Sequence, residues 1–336
     1  PSKHRSRSTV FYVKERMLLM STSVVFMGTP EFAVPILQSL IDNPEYDVQA
    51  VLTQPDHHIG RKRTLHQSPV KELAEQYNIE VLQPAKLSKS PEMEKIISLQ
   101  PDLMITAAYG QFLPTKLLAA AKIAAINVHG SLLPKYRGGA PIQYSIINGD
   151  KETGVSIMYM VKKMDAGDII SQRSIPIEDT DDSGTMFKKL SLLGRDLLLE
   201  TLPKLISGDV NPVAQDPDNV VFSPNITSEQ EQIDFRLPAH LIDAKVRGLR
   251  PAPLGNMVID GLRTKIYDVT PLEEKTDLEP GKVVRVTKHQ LVIAAGDGTT
   301  YQINKLKPAG KKAMDITSYL NGHKDITEGG QVVSED

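Results

Sequence analysis

Three polar side chains stand in two short segments of the sequence, and their types suit carbonyl chemistry. Asn127 and His129 belong to the run Asn-Val-His-Gly, and Asp165 belongs to Met-Asp-Ala-Gly-Asp. A fixed amide N–H can stabilise an oxyanion, an imidazole can carry a proton near neutral pH, and a carboxylate can orient that imidazole. We therefore predict that Asn127, His129 and Asp165 form one catalytic group.

This trio is suited to moving a carbonyl carbon from one nitrogen to another. An attacking α-amino group has a reference pKa of roughly 7.7–8.0, so a fair fraction is already neutral. It needs a proton acceptor after attack, which His129 can supply, while Asn127 can donate to the oxyanion. The chain has no cysteine and no Gly-x-Ser-x-Gly nucleophile motif. We predict that the reaction uses no metal.

The elements that must position these residues alternate between strands and helices in the first half of the chain. Such alternation predicts an α/β fold with a doubly wound, mostly parallel sheet, whose ligands lie beyond the carboxyl ends of its strands. Asn127 and His129 stand at one such strand end and share a face by the two-residue period of a strand. The predicted strands are 23–27, 48–52, 79–82, 103–107 and 124–128, with helices near 69–77 and 92–99.

The turn after the first predicted strand excludes a common class of ligand. It has the sequence Gly28-Thr29-Pro30-Glu31, in which Thr29 is a suitable N-cap and Pro30 suits the first position of a helix. It lacks the Gly-x-Gly-x-x-Gly spacing that lets backbone approach a pyrophosphate, and the chain has no Walker A motif. A dinucleotide cofactor is therefore not expected.

The second half of the chain predicts a smaller β-rich module. Two extended stretches, 155–161 and 169–177, precede a long helix from Gly184 to Ile206, which Ser183 or Asp182 could cap and Gly208 could end. After a further helix at 237–249, short strands separated by turns predict an OB-like β-barrel, a fold often used for nucleic acid. The predicted strands are 265–269, 283–286, 291–294 and 300–303.

Domain boundaries follow from these patterns and from loop composition. We predict a disordered leader at 1–20, a catalytic domain at 21–208, a linker rich in Pro, Asp and Asn at 209–224, and a C-terminal OB-like domain at 225–330. Met17 and Met20 stand just before the first strand pattern, so the leader is interpreted as an addition or an upstream mis-start, with a disordered basic arm as the alternative.

Bulk composition limits the partners and the compartment. The 336 residues carry a formal net charge of −2, so no global basic field marks a nucleic-acid or membrane-surface protein, and a polyanion must meet local basic patches. The absence of cysteine is compatible with a reducing cytosol, and no apolar run is long enough to cross a bilayer. We predict a cytoplasmic monomer that does not enter a membrane.

Several segments together resemble one family, the folate-dependent formyltransferases. Its signature joins an Asn, a His and a distant Asp, as do the two segments that hold the trio. The resemblance extends from about Val24 to Gly322 and also rests on 26–33, 54–56, 68–71, 108–111 and 307–314. It implies a Rossmann-like transferase domain and the use of 10-formyltetrahydrofolate as the formyl donor.

Further roles come from the resemblance alone. It implies that Asn127, His129 and Asp165 are catalytic and that the acceptor is the α-amino group of methionyl-initiator-tRNA, in support of translation initiation. The folate pocket would be formed by Tyr109, Gly110, Ser131, Leu132, Leu133 and Pro134. Basic residues would contact tRNA, in an insertion at 56–64 and in the C-terminal module: Arg61, Lys62, Arg63, Lys305, Lys307, Lys311 and Lys312.

The sequence departs from the family pattern at two places. Family members often have Gly-Arg-Gly-Lys-Lys where this chain has Gly60-Arg61-Lys62-Arg63-Thr64, which changes the flexibility of the insertion and the roles of Lys62 and Arg63. The family also commonly carries an aromatic residue between two prolines where Ala252 stands here.

Other interpretations fit the residues when they are taken singly. A strand-end histidine is more often structural than catalytic, Asp165 could hold a turn before Gly167, and short basic runs are usually solvated. Two further functions stay open: a folate enzyme that formylates a small amine, ribonucleotide or sugar nucleotide or releases formate, and a catalytically silent RNA-binding protein. The intact trio argues against the silent RNA-binding protein. The insertion and the second domain argue against the folate enzyme with a small substrate.

Overall fold

The computed structural model describes residues 21–59 and 64–335, in two compact units. The first unit extends to Gly139 and adds 154–174 and 188–222, and the second contains 140–153, 175–187 and the chain from Ser223 onwards. The predicted leader 1–20 and the predicted tRNA-binding residues Arg61, Lys62 and Arg63 lie outside the described residues.

The strands of the first half are short and mostly buried, which follows from their Val, Ile, Leu and Met content. They are β1 (Thr22–Gly28), β2 (Tyr46–Leu52), β3 (His57–Ile59), β4 (Thr64–His66), β5 (Glu80–Leu82), β6 (Leu103–Ala107), β7 (Ala124–His129), β8 (Glu152–Tyr159) and β9 (Ile169–Pro176). Helices follow most of these strands. They are α1 (Val34–Asp42), α2 (Pro69–Gln76), α3 (Pro91–Leu99), α4 (Thr115–Leu118), α5 (Pro141–Ile147) and α6 (Ser183–Ser207).

The first sheet has the order β5-β2-β1-β6-β7-β8-β9. The five strands from β5 to β7 are parallel, and β8 pairs antiparallel with β7. From the neighbouring strands β1 and β6, the strand order continues outward in opposite directions. The carboxyl ends of these two strands therefore flank a topological switch point, which is where doubly wound sheets bind ligands. The predicted α/β fold is confirmed.

The second unit is built on a curved antiparallel sheet in the order β12-β13-β14-β11-β10-β16. Register shifts between β11 and β14 accompany the bending, as bulges do in small barrels. The sheet is consistent with the predicted OB-like module. Its elements are α7 (Ala239–Leu249), β10 (Gly255–Ile259), β11 (Leu262–Leu272), β12 (Val283–Val286), β13 (Leu291–Ala294), β14 (Thr300–Pro308), β15 (Met314–Asp315), α8 (Ile316–Asn321) and β16 (Val333–Ser334).

Of the helix caps predicted from the sequence, that at Asp182 is present in the structure and that at Thr29 is not. Asp182 Oδ1 accepts a hydrogen bond from Thr185 N at 2.9 Å, as expected of the residue that caps α6. The prediction that Thr29 caps the first helix is wrong, because a 3₁₀ turn at Glu31–Ala33 intervenes and α1 begins at Val34. The Thr29 hydroxyl instead donates to the main-chain oxygen of Tyr109 at 2.9 Å.

Candidate active site

Asn127 and His129 occupy the carboxyl end of β7, where the sequence pattern places them. In the sheet register Asn127 lies beside Thr106 of β6 and Met158 of β8, and His129 lies beside Ser156 of β8. His129 is 5% exposed and Asn127 is half-buried. Both side chains belong to one face of the strand at the edge of the sheet that binds ligands in this fold class.

The Asn127 side chain hydrogen-bonds to its neighbour on β6. The Thr106 hydroxyl donates to Asn127 Oδ1 at 2.8 Å. Because the amide oxygen is engaged, the Nδ2 group with its two N–H donors is turned away from Thr106. Sequence reasoning missed Thr106, although a hydroxyl in the middle of the apolar run Leu-Met-Ile-Thr-Ala is a signal, since a buried hydroxyl needs a partner.

The tautomer of His129 follows from its contacts. Nε2 lies 2.8 Å from the main-chain oxygen of Tyr136, and a carbonyl oxygen can only accept, so Nε2 carries a proton and donates. In the neutral ring Nδ1 is therefore the atom with a free lone pair. Nδ1 lies 3.9 Å from Asp165 Oδ2, so a proton taken up at Nδ1 would face a carboxylate.

Asp165 reaches His129 from a tight turn between β8 and β9. Its φ of 48° lies in the left-handed region, which Asp tolerates better than most residues. Two residues later Gly167 is required, because a Cβ there would lie 1.9 Å from the Tyr159 oxygen. Gly138 N donates to Asp165 Oδ2 at 2.9 Å and so holds the carboxylate on the side of His129.

The segment Ser131–Pro134, predicted to help bind folate, follows β7 and is held by polar groups of the neighbouring strands. The Ser156 hydroxyl donates to the Ser131 oxygen at 2.6 Å and accepts from Leu133 N at 3.1 Å. Gln172 Nε2 donates to Ser156 Oγ at 2.8 Å and to the Leu133 oxygen at 2.9 Å. Sequence reasoning missed both supporting residues, because they lie 25 and 39 positions from the main-chain atoms they bind.

A cleft of about 670 Å³ opens beside the switch point, after the carboxyl ends of β1, β2, β5 and β6. Tyr109 and Gly110, two predicted folate-binding residues, line it together with Thr29, Gln54 and Phe112. The Tyr109 main chain is held by Gln54 Nε2, which donates to its oxygen at 3.1 Å. Burial raises the pKa of the Tyr109 phenol, so it stays neutral at physiological pH. The segment 131–134 is not among the residues that line this cleft.

The described parts of the insertion at 56–64 include β3, which pairs with β4 in a hairpin. Its base is anchored by Asp56, whose carboxylate accepts from Lys71 Nζ and from Gln83 Nε2, each at 2.7 Å. The Lys71 hydrogen bond, followed by that of Gln83, lowers the pKa of Asp56. Described residues of the hairpin are exposed, such as Leu65, which is 54% exposed. The hairpin was not predicted, since its strands have no apolar alternation.

The four lysines predicted to bind tRNA are all exposed in the second unit. Lys305 and Lys307 alternate with buried Leu306 on β14, so they lie on the outer face of the sheet, and Lys311 and Lys312 follow in the next turn. Lys265 of β11 stands opposite Lys307 in the sheet register, and its Nζ donates to the main-chain oxygen of Pro253 at 2.7 Å.

Within residues 21–59 and 64–335, no three or more His, Asp or Glu side chains are arranged to hold a metal ion. The helices of those residues include none that is both long enough and apolar enough to cross a bilayer.

Comparison with known proteins adds to this geometry. The formyl transferase family model matches residues 21–202, and the model for the C-terminal domain of formyl transferases matches residues 225–324. A curated methionyl-tRNA formyltransferase of Limosilactobacillus fermentum is 72% identical over 94% of this chain and 99% of its own length. Another, from Lactiplantibacillus plantarum, is 63% identical over 94% of this chain and all of its own length.

Solved structures show the same fold at low sequence identity. An N-formyltransferase from Helicobacter canadensis, solved with folinic acid and dTDP-3-aminofucose, is 18% identical, and the match covers 86% of this chain and 100% of that one. Its TM-score is 0.65. The resemblance found in the sequence is thus confirmed by matches to both halves of the chain, and the chain belongs to the formyl transferase family.

Proposed function

We propose that this protein transfers the formyl group of 10-formyltetrahydrofolate to the α-amino group of methionyl-initiator-tRNA and so supports translation initiation. The observation that carries the chemistry is the placement of His129 Nδ1 3.9 Å from Asp165 Oδ2, at the end of the strand that also holds Asn127. The acceptor is inferred from curated relatives, named methionyl-tRNA formyltransferases, that match over nearly the whole chain.

The proposed roles follow from the donors and acceptors of each side chain. The reaction forms a bond between the amine nitrogen and the formyl carbon and breaks the bond from that carbon to the donor nitrogen. Asn127 Nδ2, turned away from Thr106, donates to the oxygen that becomes negative during attack. His129 Nδ1 takes the proton that the amine loses and passes it to the departing nitrogen, and Asp165 stabilises the imidazolium between these steps.

The folate substrate supplies a formyl group already bound to nitrogen, and the first unit offers it a suitable cleft. A volume of about 670 Å³ is within the range of small-molecule sites. The lining includes apolar Leu87 and Phe112, which suit the face of a flat ring, and Gln111 Nε2 holds the wall by donating to Gln54 Oε1 at 3.2 Å. We propose that Tyr109 and Gly110 contact folate in this cleft and that Ser131, Leu132, Leu133 and Pro134 contact it beside His129.

For tRNA we propose two basic contacts. Arg61, Lys62 and Arg63 in the insertion would meet the acceptor end, and the exposed Lys305, Lys307, Lys311 and Lys312 of the second unit would neutralise backbone phosphates. We propose a leader at 1–20, a catalytic domain at 21–208, a linker at 209–224 and a tRNA-binding domain at 225–330. The protein is proposed to act in the cytoplasm as a monomer, a state that light scattering would test against its 37.0 kDa mass.

The test of this function is direct formyl transfer. The protein is incubated with 10-formyltetrahydrofolate and methionyl-initiator-tRNA, and formylmethionyl-tRNA is quantified after the ester is hydrolysed. Uncharged tRNA serves as the control, since it offers no α-amino group. Product that forms only with the aminoacylated tRNA supports the proposal. No product above the uncatalysed rate, from folded protein with both substrates in excess, would overturn it.

A further inference from the structure

One glutamine outside the predicted site makes three hydrogen bonds to the segments that carry Asp165 and its supports. Gln215 Nε2 donates to the main-chain oxygens of Asp165 and Gly167, both at 2.8 Å. Its Oε1 accepts from Arg137 Nε at 2.9 Å. Gln215 is half-buried, whereas its neighbours Ala214 and Asp216 are exposed.

The turn at 165–167 needs contacts with other segments to keep its conformation. Asp165 has a φ of 48°, and a non-glycine residue in the left-handed region persists only where its surroundings hold it. The two bonds from Gln215 reach the carbonyl of Asp165 and the carbonyl two residues later, so a single amide spans the turn. Both donors of that amide are used, which leaves the group one orientation.

The Arg137 contact extends this support to the opposite side of the site. Arg137 is 5% exposed and stands between Tyr136, whose oxygen accepts from His129, and Gly138, whose N–H donates to Asp165. Gln215 therefore connects the turn that carries the carboxylate to the loop that aims both the carboxylate and the imidazole. Its own segment packs along that loop, since Arg137 N donates to the Val221 oxygen at 2.9 Å.

We propose that Gln215 is a positioning residue for formyl transfer, acting through Asp165 by holding its carboxylate at the distance from His129 Nδ1 that the reaction needs. This inference rests on the proposed function for its kinetic test. Gln215 itself lies behind the turn and contacts main-chain oxygens, so it need not touch a substrate. Its removal should lower kcat and leave KM for both substrates almost unchanged.

Two substitutions distinguish the hydrogen bond between Gln215 and Arg137 from those between Gln215 and the turn. Gln215→Met keeps the length of the side chain and removes all three hydrogen bonds. Gln215→Glu keeps an acceptor for Arg137 and removes both N–H donors. We expect both variants to lose roughly tenfold to hundredfold in kcat, the range expected when a catalytic group is misplaced by about 1 Å. Wild-type kcat in Gln215→Glu would show that the bonds to the turn are not needed, and would overturn the proposal.

A double-mutant cycle tests whether Gln215 acts through Asp165. Asp165→Ala and the double variant Asp165→Ala with Gln215→Met should have the same kcat, because there is no carboxylate left to position. A general structural role predicts instead that the two losses multiply. Asn219→Ala is the matched control: its Nδ2 donates only within its own exposed turn, to Asp216 Oδ2 at 2.6 Å, and its kcat should equal that of wild type.

A crystal structure of Gln215→Met tests the proposal without any assay. We expect the distance from Gly138 N to Asp165 Oδ2 to exceed hydrogen-bonding range and the turn at 165–167 to leave its left-handed conformation. A variant structure that keeps both features would overturn the proposal. Failure of the proposed function would appear separately, as inactivity of the wild-type protein toward methionyl-tRNA while the turn still shifts in the variant.

Discussion

The Thr106 hydroxyl donates to Asn127 Oδ1 at 2.8 Å, from one strand of the sheet to the next. Thr106 is 3% exposed, so its hydroxyl has no bulk water as an alternative partner. In this arrangement the Asn127 oxygen is engaged and its Nδ2 group is the one available for an oxyanion. An amide that could flip would present its oxygen to the developing negative charge for part of the time.

Replacement of Thr106 tests this orientation. Thr106→Val keeps the branched shape and removes the donor, so kcat should fall roughly tenfold, less than the roughly 10²–10³ expected when an oxyanion donor is removed altogether. Thr106→Ser restores the hydroxyl and should recover most of the loss. Steady-state kinetics with saturating substrates provides the measurement. Equal activity of the Val and Ser variants would mean that the contact does not control the amide.

The three proposed catalytic residues should be separable from folding. We expect Asn127→Ala to lose roughly 10²–10³ in kcat and His129→Ala and Asp165→Ala to lose most turnover, with smaller changes in substrate binding. Asp165→Asn adds a sharper comparison, because it keeps an oxygen for the Gly138 N–H and removes only the charge. Any of these variants that turns over at nearly the wild-type rate loses its catalytic assignment.

Arg61 should affect tRNA and not folate. We expect Arg61→Ala to raise KM for methionyl-tRNA while the Kd for folate, measured by fluorescence quenching, stays within about twofold, because one phosphate or base contact is lost and the cleft is untouched. Lys116→Ala provides a matched control, since Lys116 is an exposed cation paired with Glu94 on the same unit. A parallel loss of folate affinity would place Arg61 in the folate site instead.

The base of the insertion gives a prediction that depends on pH. The lowered pKa of Asp56 means that its contribution to stability is present above the unfolded pKa and is lost as pH falls through the folded pKa. Between pH 6 and 8 the contribution of Asp56 to stability should therefore be constant. Lys71→Met removes the principal cause of the shift, so the Asp56 titration midpoint measured by NMR should rise. An unchanged midpoint would assign the lowered pKa to Gln83 and His57.

The lysines of the second unit should contribute through counterion release. Removing one cation that contacts a duplex phosphate should reduce the slope of log K against log salt by about 0.9. We expect Lys305→Gln and Lys307→Gln to show this change, and Lys324→Gln, an exposed lysine of the same unit with no proposed role, to show none. Unchanged slopes for both variants would remove this face from the proposed interface. Point substitutions are preferred to truncation, because residues 140–153 and 175–187 belong to the second unit.

Features encoded by local pattern could be predicted from the sequence. The two-residue period of β7 placed Asn127 and His129 on one face, and the alternation of strands and helices gave the doubly wound sheet. The meeting of His129 with Asp165, 36 positions later in the chain, was predicted from the chemistry of the two side chains and from resemblance to a family, and not from any local pattern. No local propensity specifies that the turn at Asp165 folds back to the loop after β7.

The supports of the site were beyond sequence reasoning for a related physical reason. Thr106, Ser156 and Gln215 hydrogen-bond to residues far away in the chain, such as Asn127, Ser131 and Asp165 at separations of 21, 25 and 50 positions, and a lone polar residue does not reveal its partner. Thr29 was assigned to a helix cap because capping is the commonest local use of its hydroxyl, whereas the tertiary contact with the Tyr109 oxygen prevailed. The exposed hairpin of β3 and β4 carries no apolar period at all.

A comparison of acceptors in one assay with 10-formyltetrahydrofolate tests most directly whether methionyl-initiator-tRNA is the formyl acceptor. The values of kcat/KM are measured for methionyl-initiator-tRNA, for a ribonucleotide amine and for a dTDP-amino sugar. We expect the kcat/KM for methionyl-tRNA to exceed that for both small amines by several orders of magnitude. A kcat/KM for either small amine that equals or exceeds that for methionyl-tRNA would contradict the proposed function.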